Sequence, residues 1–226
     1  GSESGVDRDR TEGGATVKLE HGTPREIEGE SMRIIGRELE AMGIVLPAGC
    51  EAVVKRAIHT TADFDYARNL RFTPGAVEAG VAALRAGTAL VTDTNMALSG
   101  VNRGACEQLG VERFCYMADP QVAERARAER TTRAAAAVDC WASEHPAGIF
   151  AVGNAPTALL RLAECMEAGT LRPALVIGAP VGFVNVVESK ERIWSVCQDL
   201  DVPAIVAMGR KGGSTVAAAV CNALLY

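Results

Sequence analysis

Aromatic residues make up only 4% of this chain of 226 residues, and histidine occurs three times. So few aromatics leave no platform on which nucleic-acid bases could stack. The net charge of -5 gives no general attraction to phosphate or to an anionic membrane surface, so an anionic ligand must be held by local basic groups. No apolar run approaches the ~20 residues that a membrane-spanning helix needs, and no signal peptide is visible. Cysteine is present seven times, an odd count, with no C-x-x-C. Several of these cysteines lie in apolar runs, which reads as buried thiols in a reducing, cytoplasmic setting. Scattered histidines and cysteines without ligand spacing give no metal site. There is no G-x-G-x-x-G, no G-x-S-x-G elbow, and no paired aspartates of a phospho-receiver after the first strand. "GRKGGS" has its cations and glycines in the wrong order for a P-loop.

What is present is a regular α/β alternation. Residues 1–26 are polar and glycine-rich, and "GSESG" resembles a tag remnant. They are read as a flexible N-terminal segment, with a single domain over 27–226. "IEGESMRIIGRELEAMG" carries Ile35, Leu39 and Met42 at helical spacing and ends at Gly43. "CEAVVKRAIHTT" and "TPGAVEAGVAALRAG" read as two further helices. Five short apolar runs follow: "TALVT" (88–92), "RFCYM" (113–117), "GIFAV" (148–152), "ALVIG" (174–178) and "PAIVAM" (203–208). Helical segments lie between and after them, at 102–110, 120–143, 155–168, 187–199 and 214–225. Apolar strands separated by helices indicate parallel β-α units covered on both faces. The expected fold is a three-layer α/β/α sandwich of flavodoxin-like type, with a five-stranded, mainly parallel sheet and an N-terminal helical addition.

In such sheets ligands bind beyond the carboxyl ends of the strands. There the chain is rich in Gly, Asn, Pro and Thr: "DTNMALSG" (93–100), "ADP" (118–120), "GNAPT" (153–157), "APVGFVNVVESKE" (179–191) and "GRKGGST" (209–215). Arg210 and Lys211 with two glycines before a helix make an anion site or a flexible turn. Asn154 reads first as a helix cap. Glu188, Lys190 and Glu191 are equally well explained as surface charge. Arg133, in the first turn of a helix, opposes the helix dipole and hints at an anionic partner. In "AIHTTADFD", Arg56, His59 and Asp63 fall within about 60° of one another, opposite the apolar arc of Val53, Val54, Ala57 and Ile58. If the helix persists to Asp63, its carboxylate orients the imidazole and raises its pKa. The residues alone leave two readings of His59, a solvated face or a working acid. His21 and His145 read as surface residues.

Taken in order, "IEGESMRII", "VVKRAIHTTADFDYA", "VTDTNMALSG", "TTRAAAA", "IFAVGNAPTALLRL", "VIGAPVGFVNVVESKE" and "GRKGGSTVAAAVCNALLY" resemble the precorrin-8X methylmutase (cobalt-precorrin-8 methylmutase) family, from about Ile27 to Tyr226. The resemblance implies an isomerase of cobalamin biosynthesis. It would move a methyl group from C-11 to C-12 of a corrin precursor, giving hydrogenobyrinic acid or cobyrinic acid. It implies no redox cofactor and no protein-bound metal, and a homodimer whose active sites are shared between subunits. The family's essential histidine falls on His59, expected as proton donor. Ser31 and Arg56 would contact the corrinoid by family match. Thr94, Asn95, Asn154 and Gly182 would line the site, and Arg133, Lys190, Arg210 and Lys211 are further contacts argued from position and charge. "HTTADFD" and "DTNMALSG" are similar to the cobalt-dependent branch. The rival is a non-catalytic corrinoid- or flavin-binding protein on the same fold. Its cobalt-ligating D-x-H-x-x-G or its phosphate loop is not seen.

Overall fold

The computed structural model describes residues 22–226. The tag-remnant reading and His21 lie outside the described residues. The chain enters at Thr23, whose hydroxyl accepts from the Glu26 N–H while the Glu26 carboxylate accepts from the Thr23 N–H at 3.0 Å. This reciprocal cap, with Pro24 in the first turn, starts α1 (Pro24–Ala41) three residues ahead of Ile27. Helices α2 (Glu51–Thr61) and α3 (Tyr66–Asn69) lead into strand β1 (Leu70–Phe72) and helix α4 (Ala76–Arg85). Next come β2 (Leu90–Thr92), α5 (Asn95–Gly100), α6 (Arg103–Leu109), β3 (Arg113–Cys115), α7 (Pro120–Ala128) and α8 (Arg133–Glu144). The chain closes with β4 (Ile149–Val152), α9 (Pro156–Glu167), β5 (Leu175–Gly178), α10 (Val186–Asp199), β6 (Ala204–Ala207) and α11 (Ser214–Leu225).

The fold is α/β with a mixed sheet of six strands in the order β1-β6-β5-β4-β2-β3. Five strands are parallel, and all five lie within the apolar runs read from the sequence. The sixth corrects the five-strand expectation. β1 pairs antiparallel with β6, Leu70 opposite Ala207 and Phe72 opposite Ile205. "LRF" is too short to stand out, and its partner lies far along the chain. The expected helix over 120–143 is two helices. Arg130 turns left-handed (φ 53°), and the Thr132 hydroxyl caps α8 by accepting from the Ala135 N–H at 3.1 Å.

Side chains alternate between two cores, as the strand period of two requires. Leu90, Ile149, Ala151, Leu175, Ile177 and Ile205 pack with α1, α2, α4 and α11. Val91, Phe150, Val152, Val176 and Val206 pack with α8, α9 and α10, where Phe150 stacks on Trp141 at 5.3 Å between ring centroids. Helices therefore cover both faces; β2, β4, β5 and β6 are buried on both sides, and the edge strands β1 and β3 are partly exposed. Successive parallel strands first extend from β2 to β3, then return to β4 on the other side of β2. In open α/β sheets such a reversal, here between the ends of β2 and β4, is where ligands bind.

Candidate functional site

Four loops meet at the carboxyl ends of the strands. Asp93 directly follows β2 and is 2% exposed. Its Oδ1 accepts from the Gly153 N–H at 2.8 Å, and its Oδ2 from the Asn154 and Ala155 N–H groups at 2.9 and 2.8 Å. Burial pushes this carboxyl's pKa up, against the downward pull of the three N–H groups. Thr94 caps α5 through the Ala97 N–H, and its hydroxyl lies 2.8 Å from that of Ser214 at the start of α11. The backbones are pressed together here. A Cβ on Gly153 would lie 2.6 Å from Ser214 Cα, and one on Gly212 would lie 2.3 Å from the Ala179 carbonyl oxygen. The Gly213 N–H donates to Ala179 at 2.7 Å, and the Gly182 N–H to Arg210 at 3.1 Å, so the β5–α10 and β6–α11 loops form one surface.

The basic residues divide into three kinds. Lys190 is fully buried, and its Nζ donates to the carbonyls of Gly209 at 2.7 Å and Lys211 at 2.9 Å. Burial lowers its pKa from 10.5 to about 8. It braces the β6–α11 loop from beneath rather than standing at the surface, which corrects the surface-charge reading. Arg210 is exposed and lies over the Phe183 ring, 5.1 Å from its centroid. Lys211 donates to both Asp63 and Asp65 at 2.6 Å, and this hydrogen bond holds the Asp63 carboxyl below its usual range. At the far end of the mouth, Arg133 opens α8 beside Arg127 and Arg130 around a cleft of ≈300 Å³. The Thr132 hydroxyl donates to Thr157 at 3.2 Å, tying that cleft to the first turn of α9.

His59 occupies the last turn of α2 and is exposed. The expected alignment of Asp63 with the imidazole does not occur. Ala62 adopts the left-handed conformation (φ 56°), the helix ends at Thr61, and the Asp63 carboxylate turns to Lys211 instead. That ion pair sets the end of α2 against the mouth. The start of α2 lies at the other end of the molecule, where Glu51 and Arg56 share a cleft of ≈390 Å³ with Ala223 and Tyr226. α2 thus runs antiparallel to α11, and its last turn, which carries His59, lies at the loop end. Arg56 pairs with Glu28 of α1 and lies over the Tyr226 ring at 5.0 Å, away from the loops. The Ser31 hydroxyl, on α1, donates back to the Ile27 carbonyl at 3.0 Å.

The loops therefore bring together Thr94, Asn154, Gly182, Arg210 and Lys211, with Lys190 beneath them. Asn95 is exposed at the first position of α5. Arg133 stands at the rim, while Ser31 and Arg56 belong to the α1–α2 flank. Asn154 does not act as a cap: the capping position of α9 is Ala155, without a side-chain bond. Sequence reasoning missed Asp93. Its one local signal is an acidic residue directly after an apolar strand. Exposed apolar side chains share the mouth, namely Met96, Val181, Phe183 and Val184. Cations beside apolar surface suit a large, flat, carboxylated ligand.

A family model described as precorrin-8X methylmutase matches residues 26–226. A cobalt-precorrin-8 methylmutase from Priestia megaterium is 43% identical over 89% of this chain and 87% of its own length. One from Salmonella typhimurium is 48% identical over 78% of this chain and 80% of its own. A precorrin-8X methylmutase from Pseudomonas aeruginosa is 39% identical over 86% and 91%. The crystal structure of a precorrin-8X methyl mutase from Thermus thermophilus superposes with a TM-score of 0.78 at 41% identity. That match covers 89% of this chain and 96% of that one.

Proposed function

The chain belongs to the precorrin-8X methylmutase family, and on that premise we propose that it moves the methyl group from C-11 to C-12 of cobalt-precorrin-8, giving cobyrinic acid. The metal-free substrate, precorrin-8X, would give hydrogenobyrinic acid by the same step. Relatives named for the cobalt form, at 43% and 48% identity, favour the cobalt substrate over the metal-free one. The cobalt belongs to the substrate.

The reaction is an isomerisation that breaks one C–C bond and makes another within a conjugated ring. Protonation of the nitrogen of the ring that carries C-11 and C-12 draws electrons toward the migration terminus. We assign that proton to His59, because histidine is the side chain that most often gives a proton to a reacting group and takes it back afterwards. The observation that carries this reading is the Lys211 clamp on Asp63 and Asp65, which sets the end of α2 beside the loops. Phe183, Val184 and Met96 supply an apolar floor for the macrocycle. Arg210 and Arg133, which have no carboxylate partner among the described residues, receive its carboxylates. Thr94, Asn95, Asn154 and Gly182 line the ring's edge. Lys190 supports these contacts through the loop, and Ser31 and Arg56 meet the substrate from the α1–α2 flank.

The finer features of the reading follow. The fold is taken as flavodoxin-like, because the parallel strands, numbered among themselves, run 2-1-3-4-5. The protein is taken as a homodimer with shared sites. Ile27, Ile34, Met42 and Val45 expose apolar surface on and just after α1, and this supports a second copy seated there. Seven free cysteines support a reducing cytoplasm, and no helix among the described residues is long and apolar enough to cross a membrane. Residues 27–226 are taken as the single methylmutase domain.

The test uses one variant and two measurements. His59→Ala should retain corrinoid product binding, read from the visible spectrum, while turnover falls roughly a hundredfold or more, the lower end of what a general acid supplies. Near-normal turnover removes the acid role. Titration of the wild type with flavin in parallel separates this function from a flavin-binding one.

A further inference from the structure

Resting on the methylmutase reading, we propose that Asp93 is a positioning residue of this site: its buried carboxylate holds the turn between β4 and α9 in the shape that presents Asn154 to the corrinoid.

Three facts carry this. The carboxylate takes all three successive N–H groups of Gly153, Asn154 and Ala155, within 2.8–2.9 Å. Charge-assisted bonds of this kind are among the strongest a backbone can make, and the N-terminal end of α9 offsets the buried charge. Second, those N–H groups belong to the turn that runs into α9, whose helical residues begin at Pro156, so Asp93 fixes the backbone on which Asn154 stands. With Asp93 holding the backbone of the turn from a neighbouring strand, the side chain of Asn154 takes no part in that support. It stands exposed, with no hydrogen bond to its amide among the described residues. Third, the next residue repeats the device. Thr94 caps α5 and meets the Ser214 hydroxyl at 2.8 Å, so Asp93 and Thr94 join the starts of α5, α9 and α11 at one point. The turn has no room to compensate by shifting, since Gly153 already passes Ser214 more closely than any Cβ would permit. The same carboxylate also occupies the helix end at which open α/β folds often seat a ligand's anion. The arms of the substrate are left to Arg210 and Arg133.

An amide in place of the carboxylate separates positioning from bulk. Asp93→Asn keeps the shape but turns one acceptor oxygen into a donor that faces a donor N–H. The experiment measures corrinoid affinity, kcat and KM for the wild type, Asp93→Asn, Asn154→Ala and the double variant, together with the melting temperature of each. Asp93→Asn should weaken corrinoid binding and kcat/KM roughly tenfold to a hundredfold. In the Asn154→Ala background the same change should cost less than about threefold, because the group it positions is gone. A merely structural carboxylate would lower the melting temperature and leave affinity and kcat per folded molecule unchanged, or would add its full effect to that of Asn154→Ala. Either result overturns the proposal. Should Asp93→Asn fail to fold, amide exchange on the wild type decides. The N–H groups of residues 153–155 should be protected, and their resonances should shift on corrinoid binding, whereas unprotected or unmoved amides overturn the proposal. A wild type that neither binds nor converts the corrinoid would fail at the first measurement, and so reveal that the premise, not the positioning, is at fault.

Discussion

The two halves of the mouth solve opposite electrostatic problems. On the β2–β4 side a buried anion, Asp93, is met by three N–H groups at the start of a helix. On the β5–β6 side a buried cation, Lys190, is met by two carbonyls of a non-helical loop, which leaves the third ammonium proton without a protein partner of its own. Neither charge has an ion-pair partner among the described residues. The difference lies in what compensates each. A helix terminus and three donors fix the first half rigidly. Two carbonyls leave net positive potential beneath Arg210 in the second half. The carboxylates of an anionic ligand are therefore drawn toward the β5–β6 side, while the compensated charge of Asp93 leaves the other side to neutral contacts.

The comparison can be broken first at its hinge. Gly212→Ala would place a methyl group 2.3 Å from the Ala179 carbonyl oxygen, against backbone that cannot yield. The cost should be on the order of 3 kcal/mol in a urea melt, with the β5–β6 half losing its shape. A melt within experimental error of the wild type would show that the two loops do not press on each other.

The buried cation gives the next effect. Its pKa lies near 8 in the folded protein and at 10.5 when exposed. Between those values the unfolded chain binds more protons than the folded one, so stability gained from this group rises with pH across that window. At pH 7 the charged Lys190 therefore costs stability, on the order of 3 kcal/mol at most for that shift. Lys190→Met should be no less stable than the wild type at pH 7, and its advantage should shrink as the pH approaches 10. Its corrinoid affinity should fall roughly tenfold, since the loop loses its brace. Parallel urea melts at pH 7 and 9.5 check the first claim, and a binding titration the second.

The smallest effect belongs to the surface clamp. Lys211 is exposed, as is Asp65. Lys211→Ala should lower stability only slightly, and the loss should fade in high salt. Asp63, held below its usual range by Lys211, contributes stability above the ordinary carboxylate pKa. That contribution disappears as the pH falls through its lowered value. An acid titration should therefore show the gap between the wild type and Lys211→Ala closing as the pH falls through that value.

The five parallel strands could be read directly, because each is a short apolar run bounded by glycine, proline or a polar turn, and burial on both faces leaves no alternation to confuse it. The loops at their carboxyl ends followed from that alternation, whereas the residues expected to line the site came from the family resemblance and from position and charge. β1 stayed hidden, since three residues acquire strand character only by lying beside β6. Arg56 looked available one turn from His59, yet its partners Glu28 and Tyr226 lie on other helices.

Composition and local order thus determined the class of fold and the end of the sheet at which a ligand would be sought. Tertiary structure alone decided how charges are used. Asp93 reaches donors some 60 positions away, Lys190 is sealed beneath a loop, and Asp63 leaves the imidazole for Lys211. The reason is physical: apolar periodicity is written along the chain, whereas the free energy of a charge depends on the solvent and dipoles around it, and those exist once distant segments have met.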